Sequence, residues 1–258
     1  MRINLKHMTQ HFLKVAFVSL VIFGCSPNNV KIDSTIGKMI DSAGMSGSFA
    51  LMENGTEQFT IYNLSRYKDS ATAPLSSFFI IPALVGLDKG FISHNDTVQA
   101  AIDSAEYYKM LISKIGREQI LKAIDSLHYG KGIVSADLAN FWQDNSLQIT
   151  PDEQLGLIKK LYFNELYFQK RAQELYRKMI LKEDNANYRL SYIMGTDTTT
   201  QNLATKNTSW IVGYVEENKH PYFFVFNTKA LQKDSLATKN IMMLKRILSM
   251  QGFLKGVR

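Results

Sequence analysis

At 258 residues, 45% hydrophobic and 21% charged, the chain is long enough to bury a full core without metals or disulfides. A single cysteine excludes a disulfide framework, and the formal charge of +7 falls to +4 once Arg2, Lys6 and Lys14 near the N-terminus are set aside. There is no Arg/Lys stripe with interleaved aromatics, so the basic balance gives no footprint for nucleic acid, and no such partner is expected.

Residues 1–24 set those basic residues ahead of the apolar run 15–23 and read as a secretory signal. The run is short for a membrane span, which takes roughly 20 apolar residues. Ile22-Phe23-Gly24-Cys25 resembles a bacterial lipobox. That resemblance implies cleavage before a lipidated Cys25, a polar tether over 25–30 and a folded domain over 31–258. The expected location is the cell envelope, on a membrane through the lipid of Cys25, at the periplasmic side or the outer membrane.

Along the domain, apolar residues at 32, 36, 39 and 40 give a helical period. GSFALMEN and EQFTIYNL then alternate around Asn54-Gly55, the strongest short hairpin signal. PLSSFFIIPALVGLDKG, residues 74–90, reads as a Pro-introduced apolar helix closing at Gly90 with a left-handed cap. The middle, from about 98 to 184, is mainly helical. Thr150-Pro151-Asp152-Glu153 is a capping box with Pro at the first helical position. It is followed by the apolar face Leu157, Ile158, Leu161 and Tyr162, and by a second helix over 169–182. SWIVGYVEE and YFFVFNT are strands separated by a turn at 218–221, and a last helix runs over 236–251 with Ile241, Leu244, Ile247 and Leu248 inward. The Thr-rich tract 195–209 is the one loosely structured stretch. Strands, a helical middle, strands and a closing helix predict an α+β fold, an α/β sandwich whose antiparallel sheet is flanked by helices with a helical subdomain.

The order of segments resembles the class D, oxacillinase-type serine β-lactamases and the penicillin-binding sensor domains related to them. The resemblance is clearest over residues 128–175, which follow the family's Tyr-Gly-Asn, Phe-Trp, Leu-x-Ile-[Ser/Thr]-Pro-x-Glu-Gln and leucine-rich helix in order and spacing. It implies a β-lactamase/transpeptidase-like fold and a nucleophilic serine that opens a helix in a Ser-x-x-Lys motif. Residues i and i+3 share a helical face, so such a lysine can take the serine's proton. Here Ser76 stands at the nucleophile position and Phe79 at the lysine; anchoring on Pro82 instead selects Ser77 and Ile80, again without a lysine. A phenyl ring neither carries a carbamate nor accepts a proton, and a positioned base contributes about 10² to 10⁴ in rate. Ser76 as a mere helix cap with Phe79 in the core is therefore a competing reading.

The other motif positions are degenerate. Ser-x-Val falls near 103–106, where Ser104 fits only with a one-residue shift. Tyr-Gly-Asn is Tyr129-Gly130-Lys131. Lys-Thr-Gly aligns best with Ile193-Met194-Gly195, with Lys206-Asn207-Thr208 as a competing placement. Trp142 matches the family's carbamate-steadying tryptophan and, opposite Phe79, is expected to pack as an aromatic. Lys239 is a weak match to the family's carboxylate-binding cation. An apolar pair such as Phe79 and Ile193 makes a buried charge expensive, which predicts poor binding of anionic penicillins. Of the histidines, His7 and His11 lie in the signal and His94, His128 and His220 show no i, i+4 pair, so no metal is expected; without a phosphate-cradling glycine loop, no cofactor is expected either. Three readings follow: a lipid-anchored penicillin-recognising protein that has lost efficient hydrolysis, with a β-lactam or peptidoglycan-like ligand; a working acyl-serine hydrolase using Ser76; or a scaffold for an envelope partner.

Overall fold

A computed structural model describes residues 29–93, 104–132, 134–196, 207–230 and 236–257. The signal, Cys25, His94 and Lys206 lie outside the described residues.

The strands are β1 (Val30–Ile32), β2 (Met45–Glu53), β3 (Gln58–Tyr62), the short pair β4 (Lys131–Gly132) and β5 (Leu147–Gln148), then β6 (Leu181–Asp184), β7 (Arg189–Thr196), β8 (Thr208–Glu217) and β9 (His220–Ala230). Seven of them form one sheet in the order β1-β3-β2-β9-β8-β7-β6, and β4 pairs with β5 alone. Neighbours run antiparallel except β1 and β3, which are parallel, so the sheet is mixed where an all-antiparallel one was expected.

Alternation along the central strands feeds two cores, as a period of two requires. Trp210, Val212 and Tyr214 of β8 face the larger core, while Ile211 and Val215 face the smaller one. The smaller core is closed by α1 (Ser34–Ser42), through Ile36 and Ile40, and by α8 (Leu236–Met250), through Leu244, Ile247 and Leu248. The larger core lies under α2 (Leu64–Asp69), α3 (Ile80–Lys89), α4 (Ala105–Ile115), α5 (Arg117–Leu127), α6 (Pro151–Tyr162) and α7 (Lys170–Met179). The result is a sheet between two helical layers, the expected sandwich. No helix among the described residues is long and apolar enough to cross a membrane.

Local signals act where the chain order put them. Thr150 Oγ1 accepts the Glu153 N–H at 3.2 Å while the Thr150 N–H donates to Glu153 Oε2 at 2.8 Å, with Pro151 opening α6. Gly90 closes α3 at φ +77°. Asn218 and Lys219, at φ +48° and +67°, form a two-residue hairpin turn that ends at the pair Glu217–His220, so His220 and Pro221 belong to β9 and not to the turn. Two boundaries also move. Ile32 is the end of β1 and 56% exposed, because pairing with β3 captures it before Asp33 caps α1. The helix expected over 169–182 stops at Met179, and β6 follows because it can pair with β7.

Candidate functional site

The site is built where the segment before α3 meets the end of β7. Both tryptophans of the chain hold that segment: Trp210 Nε1 donates to the Ala73 carbonyl at 2.9 Å, and the Trp142 carbonyl accepts the Leu75 N–H at 2.9 Å. Leu75, fully buried, sits at φ +53°, a left-handed conformation that costs a non-glycine residue about 1–2 kcal/mol and persists only when its surroundings enforce it. From there residues Leu75–Phe79 form a 3-10 turn. On the other side, Gly195 allows β7 to press against the turn; a Cβ there would lie 2.7 Å from the Ser77 nitrogen and 2.8 Å from the Pro74 carbonyl oxygen.

This approach leaves the two serines with different surroundings. Ser76 Oγ accepts the Thr196 N–H at 3.1 Å and lies 3.3 Å from the Met194 carbonyl, to which it donates. Ser77 is fully buried: its hydroxyl donates to the Pro74 carbonyl and accepts from Gln154 Nε2 at 2.8 Å, and the same amide reaches Tyr129 Oη at 3.1 Å. Burial pushes the Tyr129 phenol far above its ordinary value, so it stays protonated within this network. Of the two serines, Ser76 is the one that faces a cleft.

Three residues per turn make positions i and i+3 of a 3-10 turn eclipse. Phe79 accordingly stands beside Ser76, and both line a cleft of about 380 Å³ together with Ile193. The Phe79 ring stacks on Tyr108 at 4.2 Å between centroids and meets Trp142 edge-on at 5.4 Å. Trp142 is buried and lies parallel to Phe78 at 6.1 Å. The described lining holds no aspartate, glutamate or histidine; its ionisable groups are three tyrosines and Lys182. The Thr196 N–H is a donor of the kind that stabilises a developing oxyanion, but the Ser76 proton points at a backbone carbonyl that cannot keep it.

Several residues singled out from the sequence lie elsewhere. Tyr129 sits under the cleft and not in its wall. Gly130, at φ +68° with a hypothetical Cβ 2.3 Å from the Gln148 carbonyl oxygen, serves the β4–β5 pair, and Lys131 is exposed on β4 opposite Gln148. Ser104 is the N-cap of α4, accepting the Tyr107 N–H at 3.3 Å. His128 caps α5, and Lys239 is exposed on α8. None of these lines the cleft. Conversely, Tyr108, Lys182, Tyr192 and Thr196 line it and carried no sequence signal of their own, while Tyr176 and Met179 reach it from the apolar face of the helix that the sequence spaced over 169–182.

A second cleft, of about 390 Å³, shares α7 and β7 with the first. In it Tyr162 Oη donates to Glu216 at 2.8 Å and Arg189 lies 3.9 Å from the same carboxylate, while Glu174 lies 3.9 Å from Lys170 outside the lining. Among the described residues no group of three or more His, Cys, Asp or Glu could hold a metal ion.

No protein-family model matches the chain. It is 30% identical over 205 residues to the regulatory protein BlaR1 of Bacillus licheniformis, a match that covers 71% of this chain and 33% of that protein. The chain thus spans about a third of the length of that relative. A crystal structure of a class D β-lactamase from Nostoc superposes with a TM-score of 0.75 at 28% identity, covering 85% of this chain and 99% of that one. The C-terminal domain of the B. licheniformis BlaR penicillin-receptor superposes with a TM-score of 0.76 at 26% identity, over 86% and 96%. The sheet, the serine in the turn ahead of α3 and these relatives point the same way: the chain has the fold of the class D β-lactamases and of the penicillin-sensor domains, and it is similar to both in sequence.

Proposed function

We propose that the protein is a lipid-anchored envelope component that recognises a β-lactam or peptidoglycan-like ligand in the Ser76 cleft and does not hydrolyse it efficiently. One observation carries this reading: where the motif expects a lysine beside the serine, Phe79 stacks on Tyr108, and the Ser76 hydroxyl is directed at the Met194 carbonyl. A serine with no proton acceptor is a weak nucleophile, so any acyl-enzyme forms slowly, and its deacylation lacks the same base. The resemblance to sensor domains as well as to enzymes supports a binding role.

Intact mass after incubation with a fluorescent penicillin should give a slow, stoichiometric adduct on Ser76 or reversible binding, with no measurable nitrocefin turnover. Rapid turnover by the purified chain, or neither adduct nor binding, would overturn the reading. Anchoring is checked separately. Intact mass of the membrane-extracted protein should show loss of residues 1–24 and an added lipid on Cys25, both abolished by Cys25→Ala, and an unlipidated Cys25 in wild type would remove the lipid from the proposal.

A further inference from the structure

A polar cluster stands outside the Ser76 cleft, where α2 meets the ends of β2 and β9 that lie away from the Asn54-Gly55 hairpin. Arg66 of α2 is half-buried there, and its Nε and Nη2 both donate to one neutral acceptor, Asn227 Oδ1, at 3.1 and 2.8 Å. Burial lowers the affinity of its guanidinium for the proton. Lys229 is exposed two residues beyond Asn227, hence on the same face of β9 and about 7 Å along it. Neither cation forms an ion pair among the described residues: Asp152 of α6 is taken by Lys68 and Tyr67, and Asp69, at the end of α2, pairs with neither. Ser48 Oγ, buried and without a hydrogen-bond partner among the described residues, belongs to the residue directly opposite Asn227 on β2.

We propose that Arg66 and Lys229 form a binding site for a phosphate group, held by the Nη1 donors that Asn227 leaves uncommitted and by the charge of the ammonium. Two cations without a carboxylate match a dianion, and the planar fork of a guanidinium suits phosphate oxygens. Asn227 contributes by fixing that fork, so less side-chain freedom is lost when the anion arrives. The source follows from the position of the cluster, on the reading of an anchored N-terminus given above. Asn29 enters the sheet beside Glu57 and Phe59, at the hairpin end of β3, whereas Ser48 lies about 17 Å along β2 from Glu53 at that end. A tether entering there turns the hairpin end toward the membrane and the cluster away from it, so the phosphate is expected on a soluble molecule.

The test uses inorganic phosphate at about pH 8, where it is doubly charged, with binding to the purified protein followed by calorimetry. Wild type should bind it. Arg66→Met should weaken binding by about tenfold or more, the loss of a charge-assisted hydrogen bond, and Lys229→Met by about threefold, as for an exposed ion pair. Thermal midpoints without phosphate separate binding from folding. Arg66→Met should lower the midpoint because it also strips Asn227 of its donors, whereas Lys229→Met should leave it unchanged, so its effect on affinity reports on the site alone. No binding by wild type, or an affinity that neither substitution changes, overturns the proposal. Phenyl phosphate should bind as inorganic phosphate does. Capture on phosphatidate vesicles that Arg66→Met abolishes would keep the site and make its source a lipid headgroup. None of these measurements involves Ser76, so they stand or fall apart from the catalytic reading.

Discussion

Phe79→Lys should raise the rate of nitrocefin cleavage by about 10² to 10⁴ over wild type while lowering stability by about 2–4 kcal/mol. Both effects come from the same geometry. In the 3-10 turn the side chain at 79 eclipses that at 76, so an amine there meets the hydroxyl without any rearrangement of the backbone. The pocket that receives it is buried and aromatic, walled by Tyr108 and Trp142. Such surroundings disfavour an ammonium and push the lysine toward its neutral form, which is the form that accepts a proton. The loss in stability comes from the ring: Phe79 is 6% exposed, and the stack on Tyr108 contributes about 0.5–1.5 kcal/mol beyond the apolar area it covers. Urea denaturation read alongside the kinetics separates a folded, slow variant from an unfolded one. Adding Ile193→Lys places a second amine in the lining of the same cleft. If the single and double variants both stay folded and neither outpaces wild type, the missing base is not what silences Ser76.

The parts of this fold that were legible from sequence are those whose information is local. Asn54-Gly55 between alternating runs, the Thr150–Glu153 box and Gly90 each act through atoms a few residues apart, and each forms where expected. What escaped depends on partners distant in the chain. β1 and β6 are edge strands of three and four residues, too short to announce themselves, and they exist because β3 and β7 are there to pair with. The same holds within the cleft. Ser76 and Ser77 are equivalent as letters; the 3-10 turn and the close approach of Gly195 turn one toward Thr196 and the other toward Gln154. Motif spacing found Phe79 and Ile193, whereas Tyr108, Tyr176 and Lys182 come from three elements that only tertiary packing brings to one place.

Trp142→Ala should be the most damaging single truncation near the site, costing about 3–5 kcal/mol and lowering the thermal midpoint by about 10 °C. The indole is 1% exposed and touches Phe78, Phe79 and Phe141, so its removal opens a cavity bounded by three rings that cannot all close on it. Its backbone carbonyl holds the Leu75 N–H, and relaxation of this stretch would loosen the bond that keeps Leu75 in its left-handed conformation just ahead of Ser76. Trp142→Phe fills most of the space and should cost markedly less, which distinguishes lost volume from any chemistry of the indole. The remaining tryptophan, Trp210, then becomes a local reporter, since its indole N–H is bonded to Ala73 in the same segment. Trp210 is the one tryptophan left in both variants, so a different Trp210 emission maximum in Trp142→Ala from that in Trp142→Phe would show that aromatic packing under Phe79 sets the geometry of Ser76. A midpoint unchanged by Trp142→Ala would mean that the ring cluster fills space around the serine without holding it in place.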